Sequence, residues 1–238
     1  MEGKIVGIIG GMGPEATVDL MQRVIKATPA SDDADHLRML VDNNPKIPSR
    51  IKAIIEGTGA SPVPCLQEMA RGLAAWGADF LAMPCNTAHY YHPDIQAAVA
   101  IPVLDMIAIT VRKVLAQPPA PARVGLLAST AVIDLGLYDK PFARRNVTLV
   151  TPTEAAQARI MAAIKTIKTS RYGREVVDAI QAGADELLAR GAEALLVACT
   201  EISIVGGQIR SEVPVYDASQ ILAEAIVREA SRGMPPEV

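Results

Sequence analysis

No excess of one charge sign marks this 238-residue sequence: 23 Lys and Arg stand against 26 Asp and Glu, for a net charge of −3. The charges are scattered, so no basic face is set aside for a polyphosphate backbone, and nucleic acid is not an expected partner. Long hydrophobic runs are also missing. None approaches the roughly 20 residues that span a bilayer, and no membrane association is expected. The start, Met1-Glu2-Gly3-Lys4 followed by Ile5 to Ile9, runs into glycines too soon for a signal peptide, so the expected location is cytoplasmic. Cysteine is scarce: there are 3, an odd number without framework spacing. In a chain this long that points to free thiols rather than a disulfide scaffold. Each thiol is therefore either core filler or chemistry.

What is present is apolar and periodic. Half of the residues are hydrophobic, enough for one large core or two smaller ones. Short apolar runs alternate with longer segments of helical period, the pattern of parallel strands joined by crossover helices. Strands are expected at Lys4 to Ile9, Leu37 to Asp42, Phe80 to Met83, Val103 to Leu104, Val124 to Ala128, Val147 to Val150, Ala194 to Ala198 and Val213 to Tyr216. Helices are expected over Glu15 to Ala27, Cys65 to Trp76, Gly173 to Arg190 and Ala218 to Ser231, with Gly77 and Gly191 ending the second and third.

The chain also repeats itself. Val6-Gly7-Ile8-Ile9 is echoed by Val124-Gly125-Leu126-Leu127. Gly77-Ala78-Asp79-Phe80-Leu81-Ala82-Met83-Pro84-Cys85 returns as Gly191-Ala192-Glu193-Ala194-Leu195-Leu196-Val197-Ala198-Cys199. Ile101-Pro102-Val103-Leu104-Asp105 returns as Val213-Pro214-Val215-Tyr216-Asp217. Three colinear echoes argue for duplication. The expected fold is α/β, with two pseudo-twofold-related three-layer α/β/α domains, each on a short, mainly parallel sheet, and an active site in the cleft between them. The first half is residues 1–105, completed by the C-terminal helix 217–238, and the second is 106–216. The proline-rich stretch Gln117 to Pro121 makes a stiff connection near the boundary.

Cys85 and Cys199 are equivalent positions in this repeat. Each follows a buried strand, and ligands bind at the carboxyl ends of strands in open parallel sheets. A lone cysteine beside an apolar strand is usually a small hydrophobe. These two are followed by hydrogen-bonding side chains, Asn86-Thr87 and Thr200-Glu201, which core packing alone does not ask for. Cys65 has no repeat partner and is assigned to packing. Two thiols facing one ligand suit inversion of a carbon centre, because one thiolate removes a proton and one thiol returns it from the other side. An unperturbed thiol ionises near ~8.5, within the range where acid–base groups work.

Other readings attach to some of the same residues. Gly11-x-Gly13-x-x-Ala16 matches the dinucleotide fingerprint, but the acidic residue that should follow at the second strand end is out of place. The loop Gly10 to Ala16, Met12 included, is read instead as lining the cleft. Cys85-x-x-x-His89-x-x-His92 has zinc-ligand types without a fourth ligand cluster, so no metal is expected. The loop Asp42 to Arg50, held extended by two prolines, suits anion binding. Arg50 offers a planar fork for a carboxylate, and Lys168 lies in a cation-rich connection. A non-catalytic protein that closes on a small metabolite stays as the alternative from another class.

Together Gly10-Gly11-Met12-Gly13-Pro14, Asn44-Pro45-Lys46-Ile47-Pro48-Ser49-Arg50, Pro84-Cys85-Asn86-Thr87-Ala88-His89 and Ala198-Cys199-Thr200-Glu201-Ile202 resemble the aspartate/glutamate racemase family over nearly the whole chain. The resemblance implies a two-domain enzyme without pyridoxal phosphate or other cofactor, usually a homodimer, acting on a small amino acid. It implies Cys85 and Cys199 as the acid–base thiols and Asn86, Thr87 and Thr200 as holders of the α-amino and α-carboxylate groups. Arg50 and Lys168 are implied as contacts of substrate carboxylates, and Met12, Ser129 and Glu201 complete the candidate substrate site. The chain departs from the family's Thr-x-Gly-Thr stretch at Ser129-Thr130-Ala131-Val132, where the second threonine is Val132. Aspartate, glutamate or another carboxylated substrate of the wider superfamily therefore remain open.

Overall fold

A computed structural model describes residues 3–55 and 57–232. Met1, Glu2, Glu56 and residues 233–238, the last of which belong to the expected C-terminal helix 217–238, lie outside the described residues. Every named strand pairing is parallel, and the strands fall into two sheets. One sheet has the order β2-β1-β3, with β1 Val6–Gly10, β2 Met39–Asn43 and β3 Phe80–Ala82. The other has the order β5-β4-β6-β7, with β4 Arg123–Ala128, β5 Thr148–Val150, β6 Ala194–Ala198 and β7 Val215–Asp217. The central strands β1 and β6 are buried along their whole length, which is why they read as unbroken apolar runs rather than as alternation. The α/β class with short parallel sheets in two domains is thus as expected.

The chain divides into two compact units. One comprises the chain up to Pro84, Tyr91–Met106 and the chain from Leu222; the other comprises Cys85–Tyr90 and Ile107–Ile221. The short segment carrying Cys85 therefore groups with the second unit, although it directly follows strands of the first.

The duplication is legible atom by atom. A Cβ on Gly7 would meet Leu81 Cδ2 at 2.6 Å and the Cβ atoms of Ala78 and Leu73 at 3.0 and 3.1 Å. On Gly125 it would meet Leu195 Cδ2 at 2.9 Å and the Cβ atoms of Ala192 and Leu187, both at 3.0 Å. These are the repeat equivalents, so in each unit a helix packs directly on the backbone of the central strand. Gly77 and Gly191 end those helices with φ of 106° and 83°, in the left-handed region that glycine enters without a Cβ penalty. Leu81 N donates to Pro102 O at 2.8 Å, and Leu195 N to Pro214 O at 2.9 Å. The units differ at that edge. The strand expected at Val103 to Leu104 is only a single bridge to Leu81, whereas its counterpart forms β7.

The expected long helices are present as Pro14–Ala27, Val63–Ala75, Arg174–Ala189 and Ala218–Ala230. A further long helix, Glu154–Ile167, is capped by Thr153, whose Oγ1 accepts from Ala156 N at 3.4 Å. In the second unit, Ile160, Ile164 and Ile167 of this helix pack with Ile180 and Leu187 of Arg174–Ala189 on Leu195 and Val197 of β6. The opposite face of the same sheet buries Leu126, Tyr138, Phe142 and Leu196. Among the described residues no helix is long and apolar enough to cross a membrane.

Candidate functional site

Eight of the ten candidate residues belong to the second unit: Cys85, Asn86, Thr87, Ser129, Lys168, Cys199, Thr200 and Glu201. Cys199 directly follows β6 and is the N-cap of the short helix Thr200–Gly206. Cys85 stands three residues beyond β3, before the 3-10 turn Thr87–Tyr91. Both are free cysteines, each 6% exposed.

Around Cys85 the turn is tied down by its own residues. His89 Nδ1 bonds the Cys85 carbonyl at 2.8 Å. Thr87 Oγ1 lies 3.3 Å from Ser129 Oγ, and Ser129 in turn caps the helix Thr130–Asp134 by accepting from Val132 N at 3.4 Å. Val132, where the expected hydroxyl is lost, is instead part of the core. Asn86 is 2% exposed, and its Oδ1 accepts from the Tyr138 hydroxyl at 2.6 Å. That bond fixes the amide orientation and leaves Asn86 Nδ2 buried with no hydrogen-bond partner among the described residues. An unpaired buried donor costs about 1–3 kcal/mol. Sequence reasoning missed Tyr138. The signal available was a tyrosine inside an apolar stretch, because a buried phenol needs a partner for its hydroxyl.

Around Cys199 the partners are charged. Cys199 Sγ donates to Glu201 Oε2 at 3.2 Å, and the Lys168 ammonium donates to the other oxygen, Oε1, in a salt bridge. Glu201 is 5% exposed, while the Lys168 side chain is 40% exposed. Burial pushes the Cys199 thiol well above its ordinary value, and the Glu201 carboxylate adds to this. Lys168 and the Ile202 N–H act in the opposite direction. Lys168 itself is raised: burial disfavours its charge but is outweighed by Glu201, with further contributions from both Cys199 and Cys85. Lys168 is the C-cap of Glu154–Ile167, whose other end carries Gln157 with Nε2 donating to Ala128 O at 3.0 Å and Thr130 Oγ1 at 3.2 Å. That helix therefore bridges the stretch around Ser129 to the Cys199 turn.

Met12 and Arg50 belong to the first unit. Met12 is buried in the loop after β1, where Gly11 has φ of 96° and a Cβ would strike the Asn44 backbone at 2.2 Å. The loop that two prolines were expected to hold extended turns into a short helix, Arg50–Ile54, capped by Ser49, and the Arg50 guanidinium donates to Pro48 O at 3.2 Å. Cys65 is half-buried and accepts from Asn44 Nδ2 at 3.5 Å. It lines a cavity of about 540 Å³ that includes neither Cys85 nor Cys199. Among the described residues no group of three or more His, Cys, Asp or Glu is arranged to hold a metal ion.

Comparison with known proteins places this geometry in context. The profile described as Asp/Glu/Hydantoin racemase matches residues 9–226. The broad specificity amino-acid racemase RacX of Bacillus subtilis (strain 168) is 28% identical over 239 residues, covering 94% of this chain and 96% of the relative. Among solved structures, Picrophilus torridus aspartate racemase superposes with a TM-score of 0.82 at 34% identity, covering 96% of this chain and 95% of that one. Glutamate racemase of Francisella tularensis subsp. tularensis SCHU S4, solved with D-glutamate, shares the fold with a TM-score of 0.62 at 18% identity, covering 96% and 81%.

Proposed function

The chain belongs to the Asp/Glu/hydantoin racemase family, and from that premise we propose that it interconverts the L and D forms of an acidic amino acid by proton transfer at Cα between two thiols. The observation that carries this reading is that Cys85 and Cys199 stand at equivalent points of a duplicated motif, both nearly buried and each followed by hydrogen-bonding side chains.

In the reaction, one thiolate takes the Cα proton and the C–H electron pair spreads into the α-carboxylate. The other thiol then returns a proton on the opposite face, and its S–H pair stays on sulfur. The unpaired Nδ2 of Asn86 serves as a donor to the α-carboxylate, where charge develops. Thr87, Ser129 and Thr200 offer further hydroxyls around the α-amino and α-carboxylate groups. Lys168 has three N–H donors, of which Glu201 takes one. The rest are available to a substrate carboxylate, as is Arg50. No step calls for a pyridine electron sink, so added pyridoxal phosphate should leave turnover unchanged. We assign the working form as a homodimer on the family resemblance alone.

Chiral chromatography of L- and D-aspartate and L- and D-glutamate after incubation tests the reading. Conversion of either acid toward an equal mixture supports it. Racemisation of many amino acids without preference for the acidic ones would move the chain to the broad-specificity reading that the likeness to RacX favours. Alkylation by iodoacetamide should destroy turnover and bound substrate should protect. A ligand-binding protein without catalysis would keep its affinity apart from steric effects.

A further inference from the structure

We propose that Glu201 is a positioning residue that keeps the proton on Cys199, so that this thiol is the acid of the pair in the resting protein. The assignment rests on the two-thiol reading above, but its test reads the sulfur directly.

A buried carboxylate needs a counter-charge, and the Lys168 ammonium provides one at Glu201 Oε1. The remaining oxygen, Oε2, then faces Cys199 Sγ at 3.2 Å. That distance suits a thiol that donates. A thiolate there would oppose a carboxylate oxygen with no hydrogen between them. Burial of the sulfur works in the same direction, followed by the charge of Glu201; Lys168 and the Ile202 N–H oppose them. Asp217, on the strand beside β6, is engaged by Ser203 Oγ at 2.6 Å and Ser219 N at 2.8 Å. The equivalent turn after Cys85 carries Asn86 and Thr87 and no carboxylate. The repeat has thus kept two sulfurs and made one of them the proton holder.

In the reaction the Cys199 S–H bond breaks, its proton forms the new Cα–H bond, and the electron pair stays on sulfur. The proton is restored from the Cα of a substrate of the opposite hand. Enantiomers have equal free energies, so kcat/KM must be equal in the two directions in every variant. The contribution of Glu201 is therefore read in protonation rather than in stereochemical preference.

The test uses the full chain with Cys65→Ser and Cys85→Ser, which leaves Cys199 as the one thiol. Thiolate ultraviolet absorbance is followed from neutral pH to the onset of tyrosinate formation. Glu201→Gln should move the Cys199 titration down by about one to three units, which is about tenfold or more thiolate at a fixed pH below the midpoint. Adding Lys168→Met should reverse most of that fall, because the ammonium is then no longer free to stabilise the thiolate. Lys165→Met, three residues away, serves as the charge control and should not. Should Glu201→Gln lose its circular dichroism, Glu201→Ala removes the same charge and acceptor. A titration that Glu201→Gln leaves in place or moves upward overturns the assignment, as does a fall that Lys168→Met does not reverse. A chain with all its cysteines that turns over no amino acid, yet shows the shift, contradicts the racemase reading and leaves the role of Glu201 standing.

Discussion

After Cys85 the chain runs Asn86-Thr87 into a 3-10 turn whose contacts are neutral: a phenol on Asn86, a serine beside Thr87, and an imidazole on the Cys85 carbonyl. After Cys199 it runs Thr200-Glu201 into a helix, and there the contacts are a carboxylate on the sulfur and an ammonium on the carboxylate. The strands leading to both cysteines are the same motif, and on the strand beside each, Gly7 of β1 and Gly125 of β4 meet the same close approach of a helix. The repeat therefore keeps this helix–strand approach to within a few tenths of an ångström, while the two strand ends differ in charge. One end presents neutral hydrogen-bonding groups, and the other a carboxylate and an ammonium.

The comparison can be broken most forcefully on the neutral side. Asn86→Ala removes a buried donor, Nδ2, that has no partner among the described residues. A hydrogen bond to a charged group is worth about 1.5–3 kcal/mol, so kcat/KM should fall roughly 10- to 100-fold, measured by chiral chromatography at several substrate concentrations. Asn86→Asp should do worse, because it sets a negative charge against the carboxylate.

Next come the shared glycines. Gly7→Ala and Gly125→Ala both overpack a helix against a central strand, and overpacking costs about 1–3 kcal/mol. The shorter approach at Gly7, 2.6 Å against 2.9 Å, predicts the larger fall in thermal midpoint there. Equal falls would mean that Leu81 gives way as readily as Leu195.

Tyr138→Phe is milder. It keeps the ring and its stacking on Phe142 at 6.2 Å but deletes the hydroxyl that orients Asn86. Stability should drop by about 1 kcal/mol, and KM should rise more than kcat falls. A drop in kcat alone would place Tyr138 in the chemistry itself. The smallest effect belongs to the helix cap at Thr153. Thr153→Ala should cost about 1 kcal/mol in urea unfolding and leave the thiol titrations alone.

Much of this was readable in the sequence, for physical reasons. Buried parallel strands need unbroken apolar runs, so β1, β3, β4 and β6 were visible, and a repeat with three colinear echoes exposed the pairing of Cys85 with Cys199. The helices Thr130–Asp134 and Asp139–Ala143 were not, because five residues are too few to show a helical period. Val103 carries the residue types of a strand, yet whether a fourth strand forms depends on pairing beyond one bridge. At the site, Glu201 and Lys168 were each singled out, but their bond joins positions 33 residues apart, and the Tyr138 to Asn86 bond spans 52. Residue types mark such groups as candidates. Only the fold decides that the lysine reaches the glutamate and the glutamate reaches the sulfur.

The central claim is that the two sulfurs act on one carbon from opposite strand ends. It is tested most directly by incubating enantiopure substrate in D2O with the wild type, Cys85→Ser and Cys199→Ser, and following both Cα deuterium and enantiomer composition. The wild type should form the opposite enantiomer with solvent deuterium at Cα. Each serine variant should lose racemisation of both enantiomers, by about 100-fold or more as expected for removal of an acid–base group. Either variant racemising at the wild-type rate would contradict the account.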